Sequence, residues 1–189
     1  MADLFFFLSF FIYAISWIGF GFYFKTLKRE VLKYAQFVLF LGFLFHSIFW
    51  IIKIYQIFTT NILSFKYLLN FLSWELVFIY FIFTLTPIKT YATGFFLLPL
   101  VLLLLILSVI FPQQILSPFS KLFKSFWFPL HAFTGLLSHG FLLFGVVTSL
   151  MYLLQEREIK KKHLGFFFKK LPPLAVSYTH LTLPTTPYV

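Results

Sequence analysis

Cysteine is absent from this chain of 189 residues, and acidic side chains are scarce. The lack of cysteine excludes disulfide bonds, thiolate metal sites and the CxxCH motif to which c-type haem is attached. Any thiol chemistry must therefore belong to a partner. Only five acids stand against fifteen lysine and arginine residues, which gives a formal net charge of +10.

Several motifs that carry common enzyme chemistry are also missing. The chain has no glycine-rich phosphate loop, no HExxH, no GxSxG and no paired carboxylates. These absences argue against nucleotide hydrolysis, zinc-dependent proteolysis and serine hydrolase activity. The basic run at 160–163 is accordingly interpreted as an orientation signal and a contact for lipid headgroups rather than a nucleotide site.

Long apolar runs dominate what remains. The chain is 61% hydrophobic, with a mean hydropathy of +0.95, whereas soluble domains are nearer to about 45–50% apolar. Five runs are long enough to cross a bilayer, at 4–24, 35–52, 67–86, 95–111 and 126–154. They predict an all-α, polytopic membrane helix bundle of about five transmembrane helices. The first run lacks the basic start of a signal peptide, so we expect a retained anchor.

The positive charges predict orientation. A basic surface can indicate nucleic-acid binding, but these side chains fall between apolar runs, which is typical of topology signals. Eleven lie after spans one, three and five, and four lie on the other side, at Lys53, Lys66, Lys121 and Lys124. We therefore predict that the amino terminus faces outward, that the basic side faces the cytoplasm, and that no nucleic acid is bound.

Polar side chains inside spans two and three are candidates for function, because ionisable groups in a membrane are costly. His46 and Glu75 would both lie on the outer side, roughly 9 Å and 12 Å deep at about 1.5 Å per residue. Since these spans are consecutive and antiparallel, the two side chains could meet. A carboxylate on one imidazole nitrogen would leave the other nitrogen for a metal. The alternative is a structural pair that only satisfies two polar groups.

The fifth span carries Trp127 and His131 in its first two turns. It would measure about 42 Å over 127–154, whereas the hydrocarbon core of a bilayer is about 30 Å thick. It must tilt or extend beyond the membrane, and His131 lies at its outer end. His139 lies deeper, where it could form a hydrogen bond within the bundle, and Gly135 and Gly140 would allow close helix approach. His131 and His46 would reach the same outer leaflet, and neutral imidazole is the usual axial ligand of haem iron. The alternative for His131 is an interfacial histidine without a ligand.

The segment 176–189 has no relation to what precedes it. VSYTHL at 176–181 is what the end of a transposon-type sequencing adaptor would encode, and the polar residues after it show no periodicity. We interpret 1–175 as a single transmembrane domain from the N-terminal part of a longer protein, and 176–189 as a non-native, disordered tail. An ordinary disordered tail is the alternative.

Three motifs together resemble the cytochrome c assembly membrane family, the CcsA and HemX-like group. They are WFPLH at 127–131, YLLQEREIKKK at 152–162 and LPPL at 171–174. The order upstream is similar, with His46 in the second span, FLSW at 71–74 in the third and Pro99 early in the fourth. The resemblance covers nearly all of 1–175, and its C-terminal part is the more specific.

The resemblance implies haem handling at the outer face of a bacterial cytoplasmic membrane, for attachment to apocytochrome c. Haem, apocytochrome c, other assembly subunits and membrane lipid would be the partners. His131 matches the family's external haem ligand and His46 a histidine within a span, while Glu75, His139 and Trp127 would support the site. The family's WWD segment and its second outer histidine would follow residue 175 in the longer protein. This piece alone should therefore not complete the attachment of haem to apocytochrome c.

Two departures from the family pattern favour the HemX-like branch. Many CcsA members have YES before FLSW, whereas Lys66, Tyr67 and Leu68 stand here and the acid, Glu75, follows the tryptophan. Ser138 and His139 replace the SY that often follows the histidine. A non-enzymatic accessory protein of haem metabolism is therefore the main alternative to a ligation subunit. A small-solute transporter is a third hypothesis, disfavoured because no inverted repeat is visible.

Overall fold

The computed structural model describes residues 2–60, 63–85, 93–111, 115–116 and 127–160. Five helices make up most of this: α1 (Ala2–Thr26), α2 (Arg29–Thr60), α3 (Phe65–Leu85), α4 (Thr93–Ile110) and α5 (Trp127–Lys160). Two short strands, β1 (Leu63–Ser64) and β2 (Ile115–Leu116), pair antiparallel, with Leu63 opposite Leu116. The motif at 171–174 and the predicted foreign tail at 176–189 lie outside the described residues.

All five helices are long and apolar enough to cross a membrane. Helices and closed barrels are the structures that satisfy every backbone hydrogen bond in a lipid core, and runs of this length favour helices. The predicted multi-pass bundle is therefore confirmed. The β1–β2 ladder, which the sequence did not predict, joins the α2–α3 connection to the segment that follows α4.

Helix α1 shows how the bundle divides its surface between core and lipid. Its buried positions include Phe6, Ser9, Tyr13, Ser16 and Phe20. Large apolar side chains on its other face are more than half exposed, at Phe7, Phe11, Ile15, Ile18 and Phe22. This spacing follows the 3.6-residue period of a helix, so one apolar face meets the core while the other meets lipid.

The helices pack as neighbours around one core. Helix α1 lies against α2 and α4, and α3 lies against α4 and α5. Ring contacts between Phe71 and Phe133, and between Phe83 and Phe144, show that α3 and α5 run parallel. The beginning of α5 is therefore at the same end of the bundle as the beginning of α3.

Two helices are longer than their predicted spans. Helix α2 has 32 residues and α5 has 34, about 48 Å and 51 Å at roughly 1.5 Å per residue. Polar residues extend both helices beyond the apolar runs, because helix propensity does not require apolar side chains. At the end of α5, the Lys160 ammonium donates a hydrogen bond to Glu156 (2.6 Å), which raises the pKa of Lys160.

Candidate functional site

His46 is the centre of a buried polar chain that joins three helices. Its side chain is fully buried. The Tyr13 hydroxyl from α1 lies 3.2 Å from Nδ1, and the Asn70 Oδ1 from α3 lies 3.1 Å from Nε2. Because an amide oxygen only accepts, Nε2 carries the proton and donates to Asn70, and Nδ1 accepts from Tyr13. Both ring nitrogens of the buried histidine therefore have a partner, as burial requires.

The predicted pairing of His46 with Glu75 is wrong. Asn70, one turn and a half earlier on α3, takes the place that the carboxylate was expected to occupy. His46 lies about eleven residues before Ile57, where the candidate span of α2 ends. The depth of His46 in the membrane stays a prediction.

Glu75 lies instead between α3 and α5. The carboxyl group is buried, and neither oxygen has a hydrogen-bond partner among the described residues. Gly140 of α5 packs directly against it, so closely that a Cβ atom at position 140 would overlap the carboxyl group. His139, the residue before Gly140 on the helix, is near enough for an electrostatic interaction. The absence of a side chain at Gly140 is therefore what allows α5 to cover Glu75.

His139 faces outward and forms a hydrogen bond within its own helix. Its Nδ1 lies 2.7 Å from the carbonyl oxygen of Gly135, to which it donates. The expectation that His139 forms a hydrogen bond inside the bundle is met only in this local form. Nε2 makes no hydrogen bond to any described residue.

His131 is exposed in the second turn of α5, and Trp127, one turn earlier, is 73% exposed. Within the described ranges no side chain forms a hydrogen bond with the His131 imidazole. The nearby Phe133 lines a small cavity of about 170 Å³ with Trp50, Tyr67 and Phe71. The first turns of α5 thus present an imidazole and an indole beside an aromatic surface.

The predicted haem ligands fit that role unequally. An axial ligand needs an imidazole nitrogen with a free lone pair and space for a macrocycle. His131 meets both conditions through its exposure. His46 meets neither, since it is buried and both ring nitrogens form hydrogen bonds. A haem held jointly by His46 and His131 therefore does not fit this arrangement of helices.

A cavity of about 340 Å³ lies at the end of the bundle where α5 begins, next to the hydrogen bonds that join Tyr13, His46 and Asn70. Asn70 lines it, together with Asp3, Lys53 and Lys66. The Lys53 ammonium lies 3.8 Å from the Asp3 carboxylate, and its side chain is only 14% exposed. The sequence interpretation treated both lysines as topology signals and did not predict the cavity, because nothing in a linear pattern shows that α1, α2 and α3 converge there.

Sequence reasoning also missed Tyr13 and Asn70. A polar residue at a buried position of an apolar helix is the signal that could have identified both, since such a group needs a partner. Asn70 follows Tyr67 in the first turns of α3 and was not a candidate because amides do not ionise. Comparison with known proteins adds no further candidates: the chain matches no protein-family model, and no curated protein or solved structure is significantly similar to it.

Proposed function

We propose that this chain is part of a haem-handling membrane protein of cytochrome c biogenesis, located in a bacterial cytoplasmic membrane. The proposal combines the sequence resemblance with one structural observation. That observation is the exposed His131 imidazole at the beginning of α5, at the end of the bundle that the charge distribution predicts to be outside.

In this proposal His131 is the haem ligand that the described chain contributes. Haem iron bound there would leave the porphyrin accessible to the cysteine thiols of an apocytochrome c, which this cysteine-free chain cannot supply. Any second ligand to the iron would come from outside the described residues or from another assembly subunit, because His46 is committed to Tyr13 and Asn70.

His46 and Glu75 have supporting roles in the proposal. His46 holds α1, α2 and α3 together, and the Glu75–Gly140 contact fixes α5 against α3. The Glu75–Gly140 contact contributes to the position of α5, and so of its beginning. The beginning of α5 in turn determines where His131 and Trp127 are presented.

The experiment is a haem titration of the purified chain in a non-ionic detergent, followed by the Soret absorption band. His131→Ala should weaken haem binding at least tenfold, because the bond from the imidazole nitrogen to the iron would be the main link between protein and haem. A tenfold loss of affinity corresponds to a binding free energy on the order of 1.4 kcal/mol. His139→Ala is the matched control, a histidine on the same helix that should leave binding unchanged. Unaltered haem affinity and spectrum in His131→Ala would refute the proposal.

A further inference from the structure

The 340 Å³ cavity lies between the ends of α1, α2, α3 and α4, and it combines charged groups with apolar surface. Its charged groups are the ammonium groups of Lys53 and Lys66 and the carboxylate of Asp3. Its other lining is largely aromatic and includes Phe6, Phe49 and Tyr67. The volume is within the range of about 300–1,000 Å³ that ligand sites in proteins occupy.

Lys53 is not placed like a lysine that only extends to water. Such a side chain lays its stem on apolar surface and keeps its ammonium group solvated. The Lys53 side chain is instead 14% exposed. Its Nζ lies 5.8 Å from the ring centres of both Phe49 and Tyr67. This ammonium group points into the aromatic cavity, where an anion would be a stronger partner than the rings alone.

Lys66 provides a second positive charge in the same cavity. Its Nζ lies 5.1 Å from the centre of the Tyr67 ring, so the two ammonium groups share one aromatic neighbour. Among the described residues Lys66 has no ion pair. Asp3 is the single carboxylate of the cavity; it is 82% exposed and lies at the long distance of 3.8 Å from Lys53. Asp3 therefore offsets one of the two positive charges, and the cavity keeps a net positive charge.

The inner wall of the cavity is polar as well. Asn70 lines it and is itself only 3% exposed. Its side-chain oxygen accepts from His46, which is held in turn by Tyr13. These hydrogen bonds fix the orientation of the Asn70 amide that lines the cavity.

We propose that the cavity binds an amphipathic anion. A carboxylate or phosphate group lies between the ammonium groups of Lys53 and Lys66 and displaces Asp3 from Lys53, while an apolar chain packs against Phe6 and Phe49. Free fatty acids and phosphate lipids share this chemistry. The inference does not depend on haem binding, because the residues that carry it belong to α1, α2 and α3, whereas His131 belongs to α5.

The test measures saturable binding of isotope-labelled dodecanoate and dodecyl phosphate to the purified chain in a maltoside detergent. Dodecanol and inorganic phosphate serve as the tail-only and head-only probes. We expect both amphipathic anions to bind at least tenfold more tightly than either probe, because each charge-assisted hydrogen bond contributes about that factor or more. Tighter binding of dodecanoate would indicate a fatty acid, and tighter binding of dodecyl phosphate a phosphate lipid. Equal binding of dodecanol, or of inorganic phosphate, would overturn the proposal.

Variants of the cavity sharpen the test. Lys53→Gln combined with Lys66→Gln should weaken dodecanoate binding at least tenfold, whereas Lys53→Arg with Lys66→Arg should retain most of it. Asp3→Asn should strengthen binding severalfold, because it removes the competing carboxylate. Lys28→Gln with Lys33→Gln, at the opposite end of α2, is the matched control. Unchanged affinity in the Gln double variant, or weaker binding in Asp3→Asn, contradicts the site.

Discussion

His46 shows at the scale of single residues how a polar group is accommodated inside this bundle. Its two ring nitrogens are satisfied by a hydroxyl from α1 and an amide oxygen from α3. Further hydrogen bonds tie α2 to its neighbours, among them those from Ser16 to the Ala35 carbonyl, from Gln36 to the Tyr80 hydroxyl and from Trp74 to the Ser47 hydroxyl. In a membrane, where apolar contacts between helices compete with apolar lipid, such links specify which faces meet.

We predict that His46→Ala destabilises the chain without removing a haem ligand. The substitution opens a cavity and leaves Tyr13 and Asn70 without their common partner, at a cost of about 2–4 kcal/mol. Thermal unfolding in detergent should show a lower midpoint. Haem affinity, measured on protein that is still folded, should stay at the wild-type value. Loss of haem binding with unchanged stability would instead identify His46 as a ligand.

The pairing of His46 with Tyr13 and Asn70 illustrates what the sequence could not predict. The helices are apolar on nearly every side, so no polar face marks which residues point inward. The choice between Glu75 and Asn70 as the partner of His46 depends on the rotation of α3 relative to α2. That rotation is set by packing against α4 and α5, which is not a local property of any one helix.

The position of α5, at the scale of helices, depends on one glycine. Gly140 lies against Glu75 and Ile79 with no space for a methyl group, whereas a methyl group at Gly135 or Gly145 on the same helix would meet nothing within 4 Å. Small residues allow close approach of membrane helices, and here the close approach buries a carboxyl group. The sequence interpretation singled out Gly135 and Gly140 together, and only Gly140 has this role.

Gly140→Ala should therefore separate α5 from α3. The added methyl group overlaps the Glu75 carboxyl group, and overpacking of this kind costs about 1–3 kcal/mol. Gly135→Ala and Gly145→Ala are matched controls that should change stability by no more than about 1 kcal/mol, in the favourable direction of helix propensity. Thermal unfolding in detergent is the measurement. Combining Gly140→Ala with Glu75→Ala should recover part of the lost stability. If Gly140→Ala alone changed stability no more than the two control variants do, the contact between Gly140 and Glu75 would not matter for stability.

The described residues form, at the scale of the whole molecule, a membrane bundle of five helices. This was predictable because the length and hydropathy of an apolar run can be read directly from the sequence. The lengths of the helices were less predictable, because α2 and α5 continue through polar residues beyond their apolar runs. The β1–β2 ladder was not predictable, since it pairs residues about fifty positions apart in the sequence. The predicted orientation, with the ends of α2 and α4 and the beginnings of α3 and α5 outside, stays a prediction.

The central claim is that His131 is presented in accessible form at the outer face, and thiol labelling tests it most directly. The chain contains no cysteine, so His131→Cys introduces a single thiol, and Lys28→Cys in the α1–α2 connection marks the opposite end of the bundle. We predict that a membrane-impermeant maleimide labels His131→Cys in intact cells and labels Lys28→Cys only after lysis. Labelling of Lys28→Cys alone in intact cells, or protection of His131→Cys under both conditions, would contradict the account.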